Sequence, residues 1–217
     1  MDLADHGGGG GCINPDCVLS NTGLDGENGD DWWDVEPVDP DVIFDDMADE
    51  SDIAFNYPID GCFARAYLMQ MRILQRYGIL PWKVWAFDDL KVTTTGSFGD
   101  VTWGYHVAPI IPVTQPDGTL KWFVIDPSIA DGPVTTDEWL TLMNTTSDDS
   151  DMTTTPFWVS PVADGAGHGY FPNGLDPFVV DEYSNTLMEL YQQCGEAGDA
   201  NCPFIEPSNY PYEYQYP

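Results

Sequence analysis

Two strand-like runs separated by a tight turn constrain the fold of this chain more than any other feature. Residues 101–113 alternate in polarity, residues 120–126 resume an extended pattern, and the Gln-Pro-Asp-Gly sequence between them is typical of a reverse turn. A hairpin with a three-residue loop places His106 opposite Ser128, with Asp126 on the same face. Shifting the register by one pair puts His106 opposite Asp126. In either case their Cβ atoms lie roughly 5–8 Å apart, which is close enough for an imidazole–carboxylate hydrogen bond.

The same alternation divides the aromatic side chains of the first strand. Trp103 and Tyr105 fall on one side of the strand and His106 falls on the other. An aromatic and β-branched run at residues 82–87 predicts a further strand. These strands predict an antiparallel sheet.

A helix is predicted over residues 62–77, where apolar side chains recur at three- and four-residue steps. Asp60 is a plausible N-cap, Gly78 ends the helix, and Pro81 prevents it from resuming. Cys62 therefore lies in the first helical turn. Unpaired N–H groups and the helix dipole stabilise a thiolate at that position.

Composition divides the chain into three parts. Residues 1–50 are acidic and Gly-rich and are predicted to be an extended segment. Residues 51–193 are predicted to form the folded domain that would carry any catalytic site, and residues 194–217 a Pro/Tyr-rich tail. Two further helices are predicted over residues 135–143 and 179–193.

The net charge of −31 limits the partners of the protein. All 6 basic side chains lie between residues 65 and 121, so the acidic surface excludes a nucleic-acid partner. No run of about 18 apolar residues is present, and we expect no membrane association. Adaptation to a saline habitat and the acidity of an ordinary exported protein explain the charge equally well.

Five cysteines leave one without a partner if the others form disulfides. Cys12 and Cys17 lie close together, as do Cys194 and Cys202, and pairing within or between the two ends spares Cys62 in both cases. This pattern predicts a secreted protein with one reserved thiol, whose export signal and any propeptide are absent from this chain. The alternative is that all five are reduced and Cys62 is a small buried side chain.

Cysteine, histidine and aspartate together can attack an amide, because the thiol needs a base and the base needs an orienting group. His6 lies in the Gly-rich head and His168 in a Gly-rich loop, so His106 is the histidine within a predicted strand. The candidate set is Cys62, His106 and Asp126. Alternatively, His106 is a core histidine and Asp126 initiates a turn.

Three segments resemble the bacterial protein-glutaminases, which are secreted protein-glutamine deamidases. They are Tyr-Pro-Ile-Asp-Gly-Cys-Phe-Ala-Arg-Ala at residues 57–66, Trp-Gly-Tyr-His-Val-Ala at 103–108, and Ile-Asp-Pro-Ser at 125–128 with Gly-Pro-Val-Thr at 132–135. The resemblance extends over roughly residues 55–139, in order and at compatible spacing.

The resemblance implies an α+β fold with a transglutaminase-like, papain-related core. In such a core the nucleophile lies at the N-terminus of a helix packed on an antiparallel sheet that carries the histidine and the aspartate. It implies that Cys62 is the nucleophile, His106 the base and Asp126 the group that orients the imidazole. Trp103 and Tyr105 are candidates for lining the substrate cleft, with core packing as the alternative. We expect a monomer that uses no metal or cofactor.

The activity implied by the resemblance is hydrolysis of glutamine side chains in proteins or peptides to glutamate, with release of ammonia through a thioester on Cys62. A transglutaminase would pass the same acyl group to lysine, and a cysteine protease would cleave the backbone. A non-catalytic acidic binding module on the same fold is the alternative outside enzymes.

Overall fold

The computed structural model describes residues 38–94, 98–147, 149–155 and 181–203. Along these residues two helices precede three strands, and a helix, a strand and a helix follow, with the nucleophile candidate at the start of the second helix. In chain order they are α1 (Pro40–Ala48), α2 (Cys62–Tyr77), β1 (Trp82–Thr93), β2 (Asp100–Thr114), β3 (Leu120–Val124), α3 (Thr136–Leu142), β4 (Asp151–Thr155) and α4 (Asp181–Ala197).

The four strands form one antiparallel sheet in the order β3-β2-β1-β4, and α2 packs against β2 and α4. Ile110 pairs with Val124, and the Gln115 N–H closes the turn on the Thr119 carbonyl at 2.7 Å. This pairing confirms the predicted hairpin with a three-residue loop. The helices on an antiparallel sheet also confirm the predicted α+β class.

Helix α2 begins and ends at the predicted residues, but its cap differs from the prediction. Asp60 is not the N-cap; Gly61 holds that position in a left-handed conformation with φ of 84°, and no side chain caps the helix. A left-handed residue is needed here because the chain turns sharply into the helix, and glycine adopts that conformation without steric cost. The Asp60 carboxylate instead accepts the Gly61 N–H at 2.6 Å. Gly78 ends the helix as predicted, also with positive φ.

The folded region starts earlier than the sequence suggests. Helix α1 lies within the segment predicted to be extended, and its side chains Ile43, Phe44 and Met47 are buried in the core. Pro40 occupies the first turn, where its missing N–H costs nothing, and the Asp39 carboxylate accepts the Asp41 N–H at 3.0 Å. Each such buried apolar side chain contributes roughly 1.5–3 kcal/mol. Residues 1–37 lie outside the described residues.

Smaller differences concern the edges of the fold. Strand β1 continues beyond Phe87, and α4 extends into the segment assigned to the tail. Strand β4, a Thr-rich run on the sheet edge, gave no clear alternation and was not predicted. No helix among the described residues is long and apolar enough to cross a membrane.

Candidate active site

Cys62 is the first residue of α2 and carries a free, buried thiol. It lines a cleft of about 230 Å³ together with Asp60, Arg65, Trp103 and Tyr105. The cleft therefore lies between the start of α2 and the first half of β2. Of the predicted site residues, the nucleophile and both aromatic candidates line this one cavity.

His106 on β2 is held by Asp126, which follows β3. His106 Nε2 lies 2.8 Å from Asp126 Oδ2, and both side chains are almost completely buried. Because an ionised carboxylate only accepts hydrogen bonds, Nε2 carries a proton and donates it to Asp126. Nδ1 is buried and has no hydrogen-bond partner, which leaves it as the nitrogen available to Cys62.

The hairpin explains this contact. Pairing of β2 with β3 ends at Ile110 and Val124, and the Ile125 N–H still donates to the Pro109 carbonyl at 2.9 Å. The chain then turns away, and Asp126 reaches the imidazole from a position beyond the last ladder pair. The contact predicted from the hairpin register is therefore present.

The charges of the three groups shift one another's protonation. Burial by itself lowers the pKa of His106, but the negative charge of Asp126, its hydrogen bond and the interaction with Cys62 outweigh burial and raise the pKa to about 9. Burial raises the pKa of Asp126, yet His106 and the donors Ser128 and Trp139 lower it to about 2. At neutral pH the pair is an imidazolium and a carboxylate.

Two residues that the sequence did not single out complete the surroundings of Asp126. Trp139 on α3 donates its indole N–H to Asp126 Oδ2 at 2.8 Å. Ser128 donates its hydroxyl to Oδ1, and its backbone N–H lies 3.3 Å from the same oxygen. A hydroxyl two residues after the aspartate was the available signal for Ser128, whereas the indole arrives from a separate helix.

Aromatic rings lie against the imidazole. The ring centroids of Trp103 and His106 are 4.6 Å apart with nearly parallel planes, although strand alternation predicts opposite faces for these residues. A bulge in β1 lies beside this part of β2, since two residues separate Phe87 from Leu90 where one separates Trp103 from Tyr105, and a bulge increases the local twist. Trp103 also donates its indole N–H to the Pro58 carbonyl at 2.9 Å, which ties β2 to the segment before Cys62.

A buried arginine, Arg65, is hydrogen-bonded to the segment that precedes Cys62. Arg65 lies one helical turn after Cys62 and is 2% exposed, and its Nη1 donates to the carbonyls of Tyr57 at 3.0 Å and Asp60 at 2.9 Å. A third carbonyl, of Ala54, lies 3.4 Å away. Long side chains on a helix point back toward its N-terminus, which is why Arg65 reaches these groups. The turn that presents the thiol is thereby held rigid.

Helix α4 packs against the same turn before Cys62 through Tyr191. Tyr191 donates its hydroxyl to Asp60 Oδ2 at 3.1 Å and stacks on Tyr57 with ring centroids 4.7 Å apart. One turn further along, Cys194 is disulfide-bonded to Cys202. Local pairing is therefore the outcome at this end of the chain. Cys12 and Cys17 lie outside the described residues.

Comparison with known proteins gives this geometry a context. A family model described as Glutaminase matches residues 41–143, which include Cys62, His106 and Asp126. A crystal structure of protein-glutaminase superposes with a TM-score of 0.60 at 25% identity, covering 77% of this chain and 92% of that chain. The folded region is similar to the protein-glutaminases in both sequence and fold.

Two further solved structures have the same fold. The NMR structure of protein-glutaminase from Chryseobacterium proteolyticum has a TM-score of 0.58 at 24% identity, over 78% of this chain and 92% of that chain. A crystal structure of pro-protein-glutaminase gives 0.55 at 26% identity, over 76% of this chain and 62% of that chain. No curated protein matches the sequence.

Proposed function

We propose that this protein deamidates glutamine side chains in proteins or peptides, releasing ammonia and leaving glutamate. The observation that carries this proposal is a free thiol at the N-terminus of α2, in a cleft that β2 also lines. On β2, His106 is hydrogen-bonded to Asp126, and all three residues lie in the region that matches the Glutaminase family model. Cys62 acts as the nucleophile, His106 as acid and base, and Asp126 orients the imidazole.

The first half of the reaction forms a thioester. The Cys62 thiolate adds to the carboxamide carbon, and the resulting oxyanion is stabilised by backbone N–H groups at the start of α2, which have no partners within the helix. The imidazolium of His106 gives its Nδ1 proton to the nitrogen as the C–N bond breaks. Ammonia leaves, and a γ-glutamyl thioester remains on Cys62.

The second half returns the enzyme to its starting state. Neutral His106 takes a proton from water through Nδ1 while the water oxygen adds to the thioester carbon. Breaking the C–S bond releases glutamate and restores the thiolate beside the imidazolium. Throughout, Asp126 keeps the proton on Nε2, so that proton transfer takes place at the nitrogen facing Cys62.

Trp103 and Tyr105 are proposed to contact the substrate next to the carboxamide. Both line the cleft that contains Cys62, and both are partly exposed. Because the Trp103 ring also stacks on His106, a substrate chain lying on this indole would be placed beside the reacting groups.

We also propose that the protein acts outside the cell as a monomer on glutamine-containing protein substrates. The Cys194–Cys202 disulfide supports an oxidising compartment, since such bonds are reduced in the cytosol. The high negative charge favours dispersion over self-association.

The test is ammonia release from a glutamine-containing peptide, with free glutamine and an asparagine peptide measured beside it. We expect release from the glutamine peptide and none with Cys62→Ala, whose folding is verified by its melting temperature. Incubation with a glutamine-rich protein and a lysine donor distinguishes hydrolysis from transfer, because cross-linked product would indicate a transglutaminase. Backbone cleavage would indicate a protease. Absence of ammonia together with an unreactive Cys62 thiol would leave a binding module.

A further inference from the structure

A fourth side chain takes part in the arrangement of the His106–Asp126 pair. We propose that Trp139 is a positioning residue of this pair, fixing the carboxylate oxygen that receives His106 and supporting the imidazole with its ring. The proposal rests on the deamidase function proposed above and concerns a residue outside the Cys62–His106–Asp126 set.

The hydrogen bonds of Asp126 leave little freedom for its carboxylate. Oδ2 accepts from both His106 Nε2 and Trp139 Nε1, each at 2.8 Å. Oδ1 accepts the hydroxyl and the backbone N–H of Ser128. Rotation of the carboxylate away from this orientation would disrupt its bonds to Trp139, to Ser128 or to both. The indole N–H therefore fixes the direction from which Asp126 meets the imidazole.

The ring of Trp139 makes a second, independent contact with the base. Its centroid lies 5.5 Å from that of His106 with an interplanar angle of 26°. Aromatic faces attract cations, and this attraction grows when water is excluded. His106 is 1% exposed and Trp139 is 0% exposed, so the imidazolium meets the indole in a dry environment.

The backbone around Trp139 is held tightly enough for a positioning role. Helix α3 starts with a capping box in which the side chains of Thr135 and Glu138 bond to each other's backbone N–H. Immediately before it, Val134 forms a two-bond bridge to Val124 at the end of β3. The Val124–Val134 bridge therefore holds the residues just before Asp126 beside the residues just before the helix that carries Trp139.

Trp139→Phe separates positioning from packing, because phenylalanine keeps an aromatic ring but lacks the N–H donor. We expect kcat for the glutamine peptide to fall about 10-fold or more with little change in KM, since misplacement of the base affects chemistry more than binding. The pKa of His106, followed by NMR of its ring protons, should rise, because a carboxylate that loses the indole donor becomes a stronger acceptor for the imidazolium. Ser128→Ala should produce a smaller change in the same direction.

Two controls match the two losses in Trp139→Phe. Trp82→Phe shortens a buried indole whose ring packs against Trp122. Thr155→Val removes the acceptor of the buried Trp85 indole N–H, 2.9 Å away. Both should lower the melting temperature while leaving the His106 titration unchanged. If Trp139→Phe also leaves the titration and kcat unchanged while folded, the proposal is wrong and Trp139 is a core residue.

A double-variant comparison tests the same coupling with a readout that does not depend on turnover. With Asp126→Asn already present, adding Trp139→Phe should reduce the rate of Cys62 alkylation by iodoacetamide less than it does in the wild type, because both act through one carboxylate. If Trp139→Phe instead lowers the alkylation rate by the same factor in the Asp126→Asn variant as in the wild type, the proposal is overturned. Alkylation and NMR do not require ammonia release, so a wild-type protein that lacks deamidase activity still tests Trp139. In that event the proposed function is wrong, and the alkylation rates and the His106 titration still decide whether Trp139 positions the pair.

Discussion

Gly61 and Tyr191 are in such close contact that a Cβ atom at position 61 would lie 2.7 Å from two carbons of the tyrosine ring. The contact joins the residue before the thiol to a helix near the other end of the described chain. Tyr191 also donates its hydroxyl to Asp60, so that α4 supports the turn through both packing and a hydrogen bond. Cys62 is thereby placed by residues that are far away in sequence.

Gly61→Ala should both destabilise the protein and impair Cys62. The left-handed backbone costs a non-glycine residue about 1 kcal/mol, and displacement of the buried Tyr191 ring adds to that cost. Gly78→Ala is the matched control, because Gly78 also has positive φ but has no atom within 4 Å of the added Cβ. Urea unfolding and the rate of Cys62 alkylation measure the effects. Equal losses of stability in both variants would contradict the role assigned to Tyr191.

Asp126→Asn should lower kcat by about 10³-fold or more while the protein remains folded, because the amide can present a donor to Nε2 and reverse the tautomer. The pKa of His106 should fall below its ordinary value, since burial then acts without the carboxylate charge. Steady-state kinetics and NMR titration are the measurements. A variant that keeps wild-type kcat would remove Asp126 from the mechanism.

Activity should decline as pH rises through about 9, because His106 then loses the proton that it gives to the departing ammonia. The measurement is kcat/KM for the glutamine peptide as a function of pH, in buffers that do not interfere with the detection of ammonia. In Ser128→Ala the alkaline limb should move to higher pH, because Asp126 loses a donor and interacts more strongly with the imidazolium. An alkaline limb that stays at the same pH would indicate that another group controls it.

Stability should follow the same two groups. The raised pKa of His106 means that its contribution is fully present below about pH 6.5 and is lost as pH rises through about 9. The lowered pKa of Asp126 means that its contribution is present above the ordinary value of 3.8 and is lost as pH falls through about 2. Melting temperatures of wild type and His106→Asn across this range measure the difference, which should narrow at high pH. A constant difference would contradict the linkage.

Glu50→Gln should weaken the attachment of the N-terminal helix. Glu50 is 14% exposed and bonds to both Arg72, at 2.7 Å, and Arg76 on α2. Loss of this network should cost about 1 kcal/mol and reduce the salt dependence of unfolding. Asp100→Asn serves as the control, because Asp100 and Lys91 form an exposed pair between β1 and β2. A Glu50→Gln effect no larger than that of the control would indicate that apolar packing alone holds α1.

Local sequence patterns determined much of the fold around the site. The turn chemistry of residues 115–118 sets the parity of the hairpin, and parity places His106 and Asp126 on one face. Apolar spacing and Gly78 define α2, so that Cys62 falls at its start. These predictions succeed because side-chain periodicity and turn residues report backbone conformation over short distances.

Tertiary structure decided which distant residues support those three side chains. Trp139 reaches Asp126 from a separate helix, and Tyr191 meets Asp60 across a separation of 131 residues. Arg65 donates hydrogen bonds to carbonyls of an irregular segment, whose conformation no sequence periodicity predicts. Helix α1 is folded because its apolar side chains pack into the core. Periodicity tells which face of an element is apolar but not which element will cover it. The sequence by itself therefore determined the candidate nucleophile, base and orienting acid, whereas packing between elements determined how rigidly they are held.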